Sequence, residues 1–204
     1  MGQTMQAFTS VTSVATPFLQ VNVDTDIIIQ GQFLKTIKRT GLGQHAFYAV
    51  RHDRQGNHIA NNIFDRAPYN QSSVLIAGNN FGYGSSREHA PWAILDMGYR
   101  CIVAPGFADI FASNCAKNGI VTVALSQDQV DILAHEAEAC REITVDLVAK
   151  SIALADGRIF PFDYNPVHRH LLLNGLDEIG QNLQSEGSIA RYEKERMQVT
   201  PWQF

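Results

Sequence analysis

The residues best suited to chemistry lie in one short segment, GYGSSREH, at positions 82–89. Its two glycines let the backbone turn tightly, and successive exposed amides ahead of a helix form a site for an anion. Arg87 adds a planar guanidinium that suits bidentate contact with a carboxylate or a phosphate. Ser85 and Ser86 place two hydroxyls beside these groups. The segment therefore predicts an anion site with a serine oxygen at its edge.

Helix capping is the simpler alternative for the two serines. Residues 85–88 fit the pattern S-x-x-E, which would make Ser85 the N-cap of a helix. That register would put Pro91 at the sixth helical position, where its ring and its missing N–H disrupt the helix. Pro91 fits better if the helix begins near Arg87 or Glu88. We therefore predict that both serines lie in the loop ahead of the helix.

Other known loops of similar appearance do not match the segment. The chain lacks G-x-x-x-x-G-K-[ST], and the order G-Y-G-S-S-R differs from the dinucleotide fingerprint G-x-G-x-x-G. A nucleophile elbow, G-x-S-x-G, is also absent, and no lysine lies close in sequence to act as a base. What is left is a serine that acts as the base itself, with its alkoxide stabilised by backbone amides and Arg87.

Rigid secondary structure must position this loop, and the flanking sequence patterns predict it. Three short apolar runs are typical of strands covered on both faces: residues 73–78, 100–106 and 120–125. Helical patterns separate them at about 91–98 and 107–119. This alternation predicts a parallel sheet with right-handed crossovers. Because ligands of such sheets bind beyond the carboxyl ends of the strands, the loop leaves its strand at the expected place.

The chain ahead of this sheet carries weaker patterns. Residues 8–30 alternate between apolar and polar positions and predict extended segments broken at Pro17. Residues 31–48 contain three glycines and three basic side chains and predict a helix fragment and a mobile loop. The middle of the chain is therefore clearer than its beginning.

The C-terminal part of the chain mixes helices with a hairpin. Residues 126–141 predict a helix with Ser126 as its cap. Residues 142–162 alternate and carry an Asp-Gly pair, which signals a hairpin turn. Residues 166–196 are mostly helical in pattern. Three glycines predict breaks in that tail: Gly175, Gly180 and Gly187.

The composition excludes several classes of function. The chain has 204 residues, of which 45% are apolar and 18% charged, and its net charge is −4. A weakly acidic chain without a basic run is a poor candidate for binding nucleic acid or an anionic membrane. No apolar window approaches the roughly 20 residues of a membrane helix, and we see no secretory signal at the N-terminus.

The three cysteines predict no metal site of this chain's own. Cys101, Cys115 and Cys140 are far apart and form no C-x-x-C pair. Their places in a strand-like run and on apolar helix faces predict buried, reduced thiols. Reduced thiols suit the cytoplasm, which is the location we expect. This chain alone is not expected to supply the ligands of a zinc site or an iron–sulfur cluster.

The motif and its surroundings resemble a known family. Residues 78–111, GNNFGYGSSREHAPWAILDMGYRCIVAPGFADIF, are similar to the signature of the swivelling domain of the aconitase superfamily, and more narrowly to the small-subunit family of the isopropylmalate isomerases. Further similar segments are VNVDTDIII at 21–29, QFLKTIKRTGLG at 32–43 and HRHLLLNGLDEIGQNL at 168–183. The resemblance covers nearly the whole chain in order.

This resemblance implies a fold, a partner and a reaction. The fold would be an α/β swivelling domain of the β/β/α type, with a parallel βαβαβ middle section and a helical tail, spanning residues 1–204. It would dock on a separate large subunit that carries a [4Fe–4S] cluster on three cysteines. The reaction would move a hydroxyl between adjacent carbons of the dicarboxylate isopropylmalate, through isopropylmaleate, in leucine biosynthesis. An isolated small subunit would self-associate through the apolar surface meant for its partner.

The resemblance also implies roles for individual residues. Ser85 matches the family's base, which would remove the proton alpha to a carboxylate while the cluster acts as Lewis acid on the leaving hydroxyl. Ser86 and Arg87 match substrate-binding positions, with Arg87 holding a carboxylate. Asp26 matches an active-site aspartate of the superfamily. The alternative is that Asp24 and Asp26 are turn or cap residues, because Asp bonds readily to its own backbone.

Residues 34–43 match the region that contacts the variable group of the substrate. Lys38 or Arg39 would reach a carboxylate. Three apolar side chains would offer surface to an isopropyl group: Leu34, Ile37 and Leu42. The alternative is a solvated basic loop. His89, inside the motif, is expected to support the loop by hydrogen bonding.

Two positions depart from the family pattern. Tyr83 stands where the family usually has Cys, and Gln30 stands where it usually has Pro. Both leave the substrate open, so a related hydro-lyase acting on citraconate, dimethylmaleate or a homoaconitate-type diacid is an alternative. Two rivals come from other classes: a non-catalytic binding module, and a phosphate-binding enzyme that acts without an iron–sulfur partner.

Overall fold

A parallel sheet forms the centre of the computed structural model, which describes residues 5–84 and 86–203. Its strands lie in the order β2-β3-β4-β5, and each neighbouring pair is parallel. The bounds are Thr16–Phe18 for β2, Val74–Ala77 for β3, Cys101–Ala104 for β4 and Val121–Ala124 for β5. The predicted parallel sheet is therefore confirmed.

A second sheet is antiparallel, with the strand order β1-β6-β7-β8. Its bounds are Ser10–Val14 for β1, Glu142–Asp146 for β6, Ser151–Leu154 for β7 and Ile159–Pro161 for β8. The Asp-Gly turn lies between β7 and β8, where Gly157 has a φ of +89°. The predicted hairpin is confirmed.

Eight α-helices lie within the described residues. They are α1 (Thr25–Ile28), α2 (Tyr48–Arg51), α3 (His89–Asp96), α4 (Asp109–Lys117), α5 (Gln127–Glu138), α6 (Pro166–Asn174), α7 (Glu178–Leu183) and α8 (Glu186–Val199). Short 3-10 turns are found at Gly31–Phe33, Gly43–His45, Tyr69–Gln71 and Pro201–Gln203. None of the helices in the described ranges has both the length and the apolar character that crossing a membrane requires.

The parallel sheet is buried on both faces, as its continuous apolar strands predicted. Along β3, Val74 and Ile76 face a core shared with α5 and the antiparallel sheet. Leu75 and Ala77 face a second core built from α1, α3 and α4. The site-bearing loop between β3 and α3 therefore starts from a strand that is fixed on both sides.

Helix ends follow the capping signals only in part. Ser126 caps the start of α5, as predicted, and Gln129 completes a capping box with it. Gly175 ends α6 in the left-handed region with a φ of +64°. The breaks predicted at Gly180 and Gly187 are wrong, because both glycines lie inside helices.

The prediction of extended segments in residues 8–30 is wrong at two points. Pro17, the predicted break, lies inside β2, and one part of the range is helical. Thr25–Ile28 form the short helix α1, because Asp24 caps it: its Oδ1 accepts a hydrogen bond from the amide of Ile27 at 2.7 Å.

The prediction for Leu42 is also wrong. Leu42 is 2% exposed and belongs to the core, so it cannot offer surface to a substrate.

The cysteine prediction holds at two positions of three. Cys101 and Cys115 are fully buried and unpaired, whereas Cys140 is exposed. The helix α5 ends at Glu138, and Cys140 adopts a φ of +54°, which removes it from the apolar helix face. The prediction of a buried thiol at Cys140 is therefore wrong.

Candidate active site

The loop of residues 82–88, which we call the serine loop, follows the carboxyl end of β3. Gly82 has a φ of +82° and Gly84 a φ of +108°, values that glycine adopts without strain. A Cβ atom at position 82 would overlap the ring of Phe111. Only glycine therefore fits at this turn, and the Phe111 ring limits the path of the loop.

Helix α3 begins at His89, with Glu88 as its N-cap. Pro91 is consequently the third helical residue, where an amide has no partner within the helix anyway. The prediction that the helix begins near Arg87 or Glu88 is confirmed, and the alternative with Ser85 as N-cap is wrong. Ser86 and Arg87 lie ahead of the helix and are exposed. Ser85, the predicted base, lies outside the described residues.

The segment before α1 is bonded to the serine loop through its backbone. The amide of Gly82 donates to the carbonyl of Val23 at 2.7 Å, and the amide of Thr25 donates to the carbonyl of Tyr83 at 2.9 Å. These two bonds place the first turn of α1 beside the serine loop. Asp26 lies in that turn and is exposed. Asp24 is the cap of the helix, which is the structural role that the alternative gave it.

Two predicted site residues, Asp26 and Arg87, line one small cleft. Seven residues line it: Thr25, Asp26, Ile29, Leu34, Arg87, His89 and Ala90. The cleft measures about 10 Å³, which is about the space that one water molecule needs. A dicarboxylate is much larger than one water. The cleft as it stands is therefore too small to enclose a dicarboxylate.

The structure does not bring Lys38 and Arg39 into this cleft. Both side chains are exposed. The Arg39 guanidinium lies over the ring of Trp92, 5.3 Å from its centroid, and borders a separate groove of about 430 Å³. Of the apolar side chains predicted for this segment, Leu34 lines the cleft, and Ile37 is 96% exposed.

Two asparagines at the C-terminal end of α4 bond to the serine loop, and the sequence analysis did not predict them. Asn114 is 9% exposed and Asn118 is 7% exposed. Asn114 Nδ2 donates to the carbonyl of Ser86 at 3.1 Å, and Asn118 Nδ2 donates to Glu88 Oε2 at 3.0 Å. Asn118 Oδ1 also accepts a hydrogen bond from Trp92 Nε1 at 2.9 Å. Two amide side chains four residues apart beside an apolar helix face were the only signal available in the sequence.

His89 does act through a hydrogen bond, as predicted, but its partner is outside the serine loop. His89 Nε2 lies 3.0 Å from the carbonyl oxygen of Thr36. The imidazole ring also packs on Trp92, with 4.8 Å between ring centroids. His89 therefore connects the start of α3 to the segment predicted to contact the variable group of the substrate.

An arginine and an aspartate fix the far end of that segment. Arg51 donates to both carboxylate oxygens of Asp65, at 2.9 and 2.8 Å, and to the carbonyl of Gly43 at 2.9 Å. Burial by itself would raise the pKa of Asp65, but hydrogen bonds from Arg51, Asn62 and His58 outweigh it and lower the pKa. The carboxylate thus stays charged and holds Arg51 in place.

The cysteines of this chain do not fit an iron–sulfur cluster. Cys101 and Cys115 have no exposed surface, and burial raises the pKa of both thiols, whereas cluster ligands are thiolates. Among the described residues, no group of three or more His, Cys, Asp or Glu side chains is arranged to hold a metal ion. We therefore assign no step of the chemistry to a cluster held by this chain.

Comparison with known proteins identifies two matching family models and several similar relatives. Residues 5–128 match the family described as the aconitase C-terminal domain, and residues 178–204 match the C-terminal domain of the 3-isopropylmalate dehydratase small subunit. The chain is 48% identical to a 3-isopropylmalate dehydratase small subunit of a Ruegeria species and 50% identical to that of Parvibaculum lavamentivorans. Each alignment covers 97% of this chain and 100% of the relative.

A solved structure has the same fold. The crystal structure of 3-isopropylmalate dehydratase from Methanocaldococcus jannaschii matches with a TM-score of 0.66 and 25% identity, over 90% of this chain and 99% of that one. The fold and the match over residues 5–128 thus define a domain of the aconitase C-terminal class. Within that class, the chain belongs to the family of 3-isopropylmalate dehydratase small subunits. The predicted fold class and family are confirmed.

Proposed function

We propose that this chain, acting as one domain over residues 1–204, forms one half of a hydro-lyase active site that interconverts 2-isopropylmalate and 3-isopropylmalate in leucine biosynthesis. The other half belongs to a large subunit that carries the [4Fe–4S] cluster. The observation that carries the proposal is the cleft in which Asp26 and Arg87 meet beside the serine loop. Because this cleft has room for about one water molecule, a second protein surface is needed to enclose a diacid.

Ser85 is the base in this proposal. It takes the proton from the carbon next to a carboxylate, and the substrate's hydroxyl leaves from the adjacent carbon, so that water is lost and isopropylmaleate forms. Addition of water in the opposite orientation returns the proton and gives the isomer. An unperturbed hydroxyl is a very weak acid, so the amides of the glycine-rich turn and Arg87 must stabilise the alkoxide. The large subunit supplies Lewis-acid activation of the hydroxyl.

Arg87 and Ser86 hold the substrate around that base, and Asp26 is a second catalytic residue beside it. Arg87 lies exposed at the cleft, where its guanidinium is suited to a bidentate carboxylate contact. Ser86 precedes it, with its carbonyl held by Asn114. Asp26 faces the same cleft from α1. Lys38 and Arg39 stay candidates for a second carboxylate, a role that requires movement of their segment away from Trp92.

A related diacid is the alternative substrate. The exposed side chain of Tyr83 is the feature that favours this alternative. Its side chain is 38% exposed, and the residue lies between the two glycines of the turn. Its carbonyl accepts a hydrogen bond from the amide of Thr25, which lines the cleft, so a large exposed ring stands next to a residue of the cleft. A cytoplasmic location belongs to the same proposal and is supported by the buried free thiols of Cys101 and Cys115.

The test is an activity assay on the reconstituted complex. The chain is mixed with its cognate large subunit, whose cluster is rebuilt anaerobically, and the ultraviolet absorbance of isopropylmaleate, citraconate and dimethylmaleate is followed. Activity only in the mixture, and best on isopropylmaleate, supports the proposal. Best activity on another diacid moves it to the alternative substrate. No activity in an assembled complex with an intact cluster favours a binding module instead, and activity without the partner contradicts the shared site.

A further inference from the structure

We propose that one face of α3 anchors the segment Thr36–Gly43, which we call the variable segment, and that His89 is a positioning residue for substrate selection through this anchor. The inference rests on the proposed function for its consequence in catalysis. The anchor itself is a matter of contacts between α3 and the variable segment.

Three side chains of α3 contact the variable segment at regular intervals. His89 Nε2 is 3.0 Å from the carbonyl oxygen of Thr36, the Trp92 ring lies under the Arg39 guanidinium at 5.3 Å, and Asp96 Oδ2 accepts from the amide of Gly43 at 2.7 Å. Positions 89, 92 and 96 share one face of a helix. The segment therefore runs along α3 and is held at both ends and in the middle.

The contact at His89 fixes the chemistry of its ring. A carbonyl oxygen only accepts hydrogen bonds, so Nε2 must carry the proton that is donated to Thr36. Nδ1 is buried and has no partner among the described residues, and a buried unpaired polar atom costs stability. The ring thus keeps its place through the Thr36 contact and the stacking on Trp92.

His89 also lines the cleft that contains Asp26 and Arg87. The side chain of His89 therefore lies between the cleft of Arg87 and the variable segment. Leu34 lines the cleft immediately before the segment, and Ile37, inside it, is 96% exposed. Loss of the His89 contact would let these apolar side chains move relative to Arg87. Binding of a substrate with a large apolar group should suffer more than binding of a small one.

The anchor is tested first without any catalysis. Lys35, Lys38 and Arg39 make the region a substrate for trypsin, and cleavage requires local opening of the backbone. In the full chain, His89→Leu should raise the cleavage rate at these sites about fivefold, the effect of losing one typical hydrogen bond. His89→Gln, which can place an N–H near the position of Nε2, should restore slow cleavage. His170→Leu, on α6, is the matched control and should change nothing.

The consequence for substrate selection is tested on the assembled complex. His89→Leu should raise KM for isopropylmaleate several-fold and KM for citraconate much less, with kcat within about twofold for both. Unchanged trypsin cleavage in His89→Leu overturns the anchor. Faster cleavage with an equal loss for both diacids overturns the role in selection. A complex inactive on every diacid rejects the proposed function, while the cleavage rates still decide the anchor.

A second variant keeps the anchor testable if His89→Leu does not fold. Arg39→Ala removes the contact over Trp92 from an exposed position and should leave the core intact. We expect faster cleavage at Lys35 and Lys38 in that variant. If cleavage at both lysines stays at the wild-type rate, the face of α3 does not hold the segment.

Discussion

Thr25 and Tyr83, which are distant in the sequence, are joined by a backbone hydrogen bond of 2.9 Å from the amide of Thr25 to the carbonyl of Tyr83. The bond connects the start of α1 to the glycine-rich turn of the serine loop. It brings Asp26, the next residue of α1, to the same cleft as Arg87. The position of Asp26 is thus set by main-chain contacts, so its side chain can be changed without moving the helix.

Asp26→Asn should reduce kcat of the assembled enzyme by at least about tenfold. Asn keeps the size of the side chain and removes the negative charge from the cleft that Arg87 also lines, where electrostatic preorganisation would act. The thermal midpoint should change little, because the side chain is exposed and a charge in the first turn of a helix contributes only about 0.3–1 kcal/mol. Kinetics and thermal unfolding of the same preparation check both statements. A normal kcat at normal stability would remove Asp26 from the site.

Ser85→Ala should reduce kcat by at least about 10²-fold, the usual contribution of a general base. The neighbouring Ser86→Ala is the control, because it also removes one hydroxyl from the loop but affects binding. We expect Ser86→Ala to raise KM more than it lowers kcat. Turnover of Ser85→Ala within a few-fold of wild type would assign the base to another residue.

Local patterns in the sequence were sufficient for three strands of the parallel sheet and for the start of α3. The strands β3 and β4 are continuous apolar runs, and Pro91 limited where α3 begins, so neither inference needed knowledge of distant residues. The short helix α1 was missed because four residues give too little periodicity, and its formation depends on the cap from Asp24. A cap is visible in the sequence only when the helix after it is long enough to recognise.

The supports of the site could not be predicted because they join distant parts of the chain. Asn114 binds the carbonyl of Ser86, and His89 binds the carbonyl of Thr36. Every residue has a backbone carbonyl, so the sequence does not indicate which carbonyl accepts a given side-chain hydrogen bond. The family resemblance predicts Asp26 and Arg87 as site residues, but only the fold shows that they line one cleft with His89.

Gly82→Ala should destabilise the chain by at least about 2 kcal/mol. The residue has a φ of +82°, which costs about 1–2 kcal/mol for a residue with a Cβ atom. The new methyl group would also overlap the ring of Phe111, and overpacking adds about 1–3 kcal/mol. Urea unfolding measures the loss. Gly31→Ala is the control, because nothing lies within 4 Å of a Cβ atom there; equal stability of the two variants would contradict the strained turn.

Asp65→Asn should change the dependence of stability on acid. The pKa of Asp65 is lowered in the folded chain by Arg51, Asn62 and His58 despite its burial. A carboxylate whose pKa is lower in the folded than in the unfolded chain stabilises the fold at pH values above the unfolded pKa of about 3.9. This stabilisation is lost as the pH falls below that value. The wild type should therefore be more stable than Asp65→Asn at pH 7, and the difference should shrink at pH 3. Urea unfolding at both values measures it, and a difference independent of pH would contradict the shift.

Gln30→Pro should leave the fold intact and stabilise it by about 0.4–1 kcal/mol, since proline restricts the unfolded chain. Gln30 has a φ of −67°, which is the value that proline imposes, and Ile29 before it is extended, with φ −149° and ψ 119°. The backbone of this chain is thus already shaped for the family's usual proline, and the departure at Gln30 gives no reason for a different substrate.

Gln30→Ala is the control, because it also removes the side-chain bond to Gln32 but does not fix φ. Thermal unfolding separates the two variants, and an altered preference among the diacids in Gln30→Pro would show that Gln30 does affect the substrate.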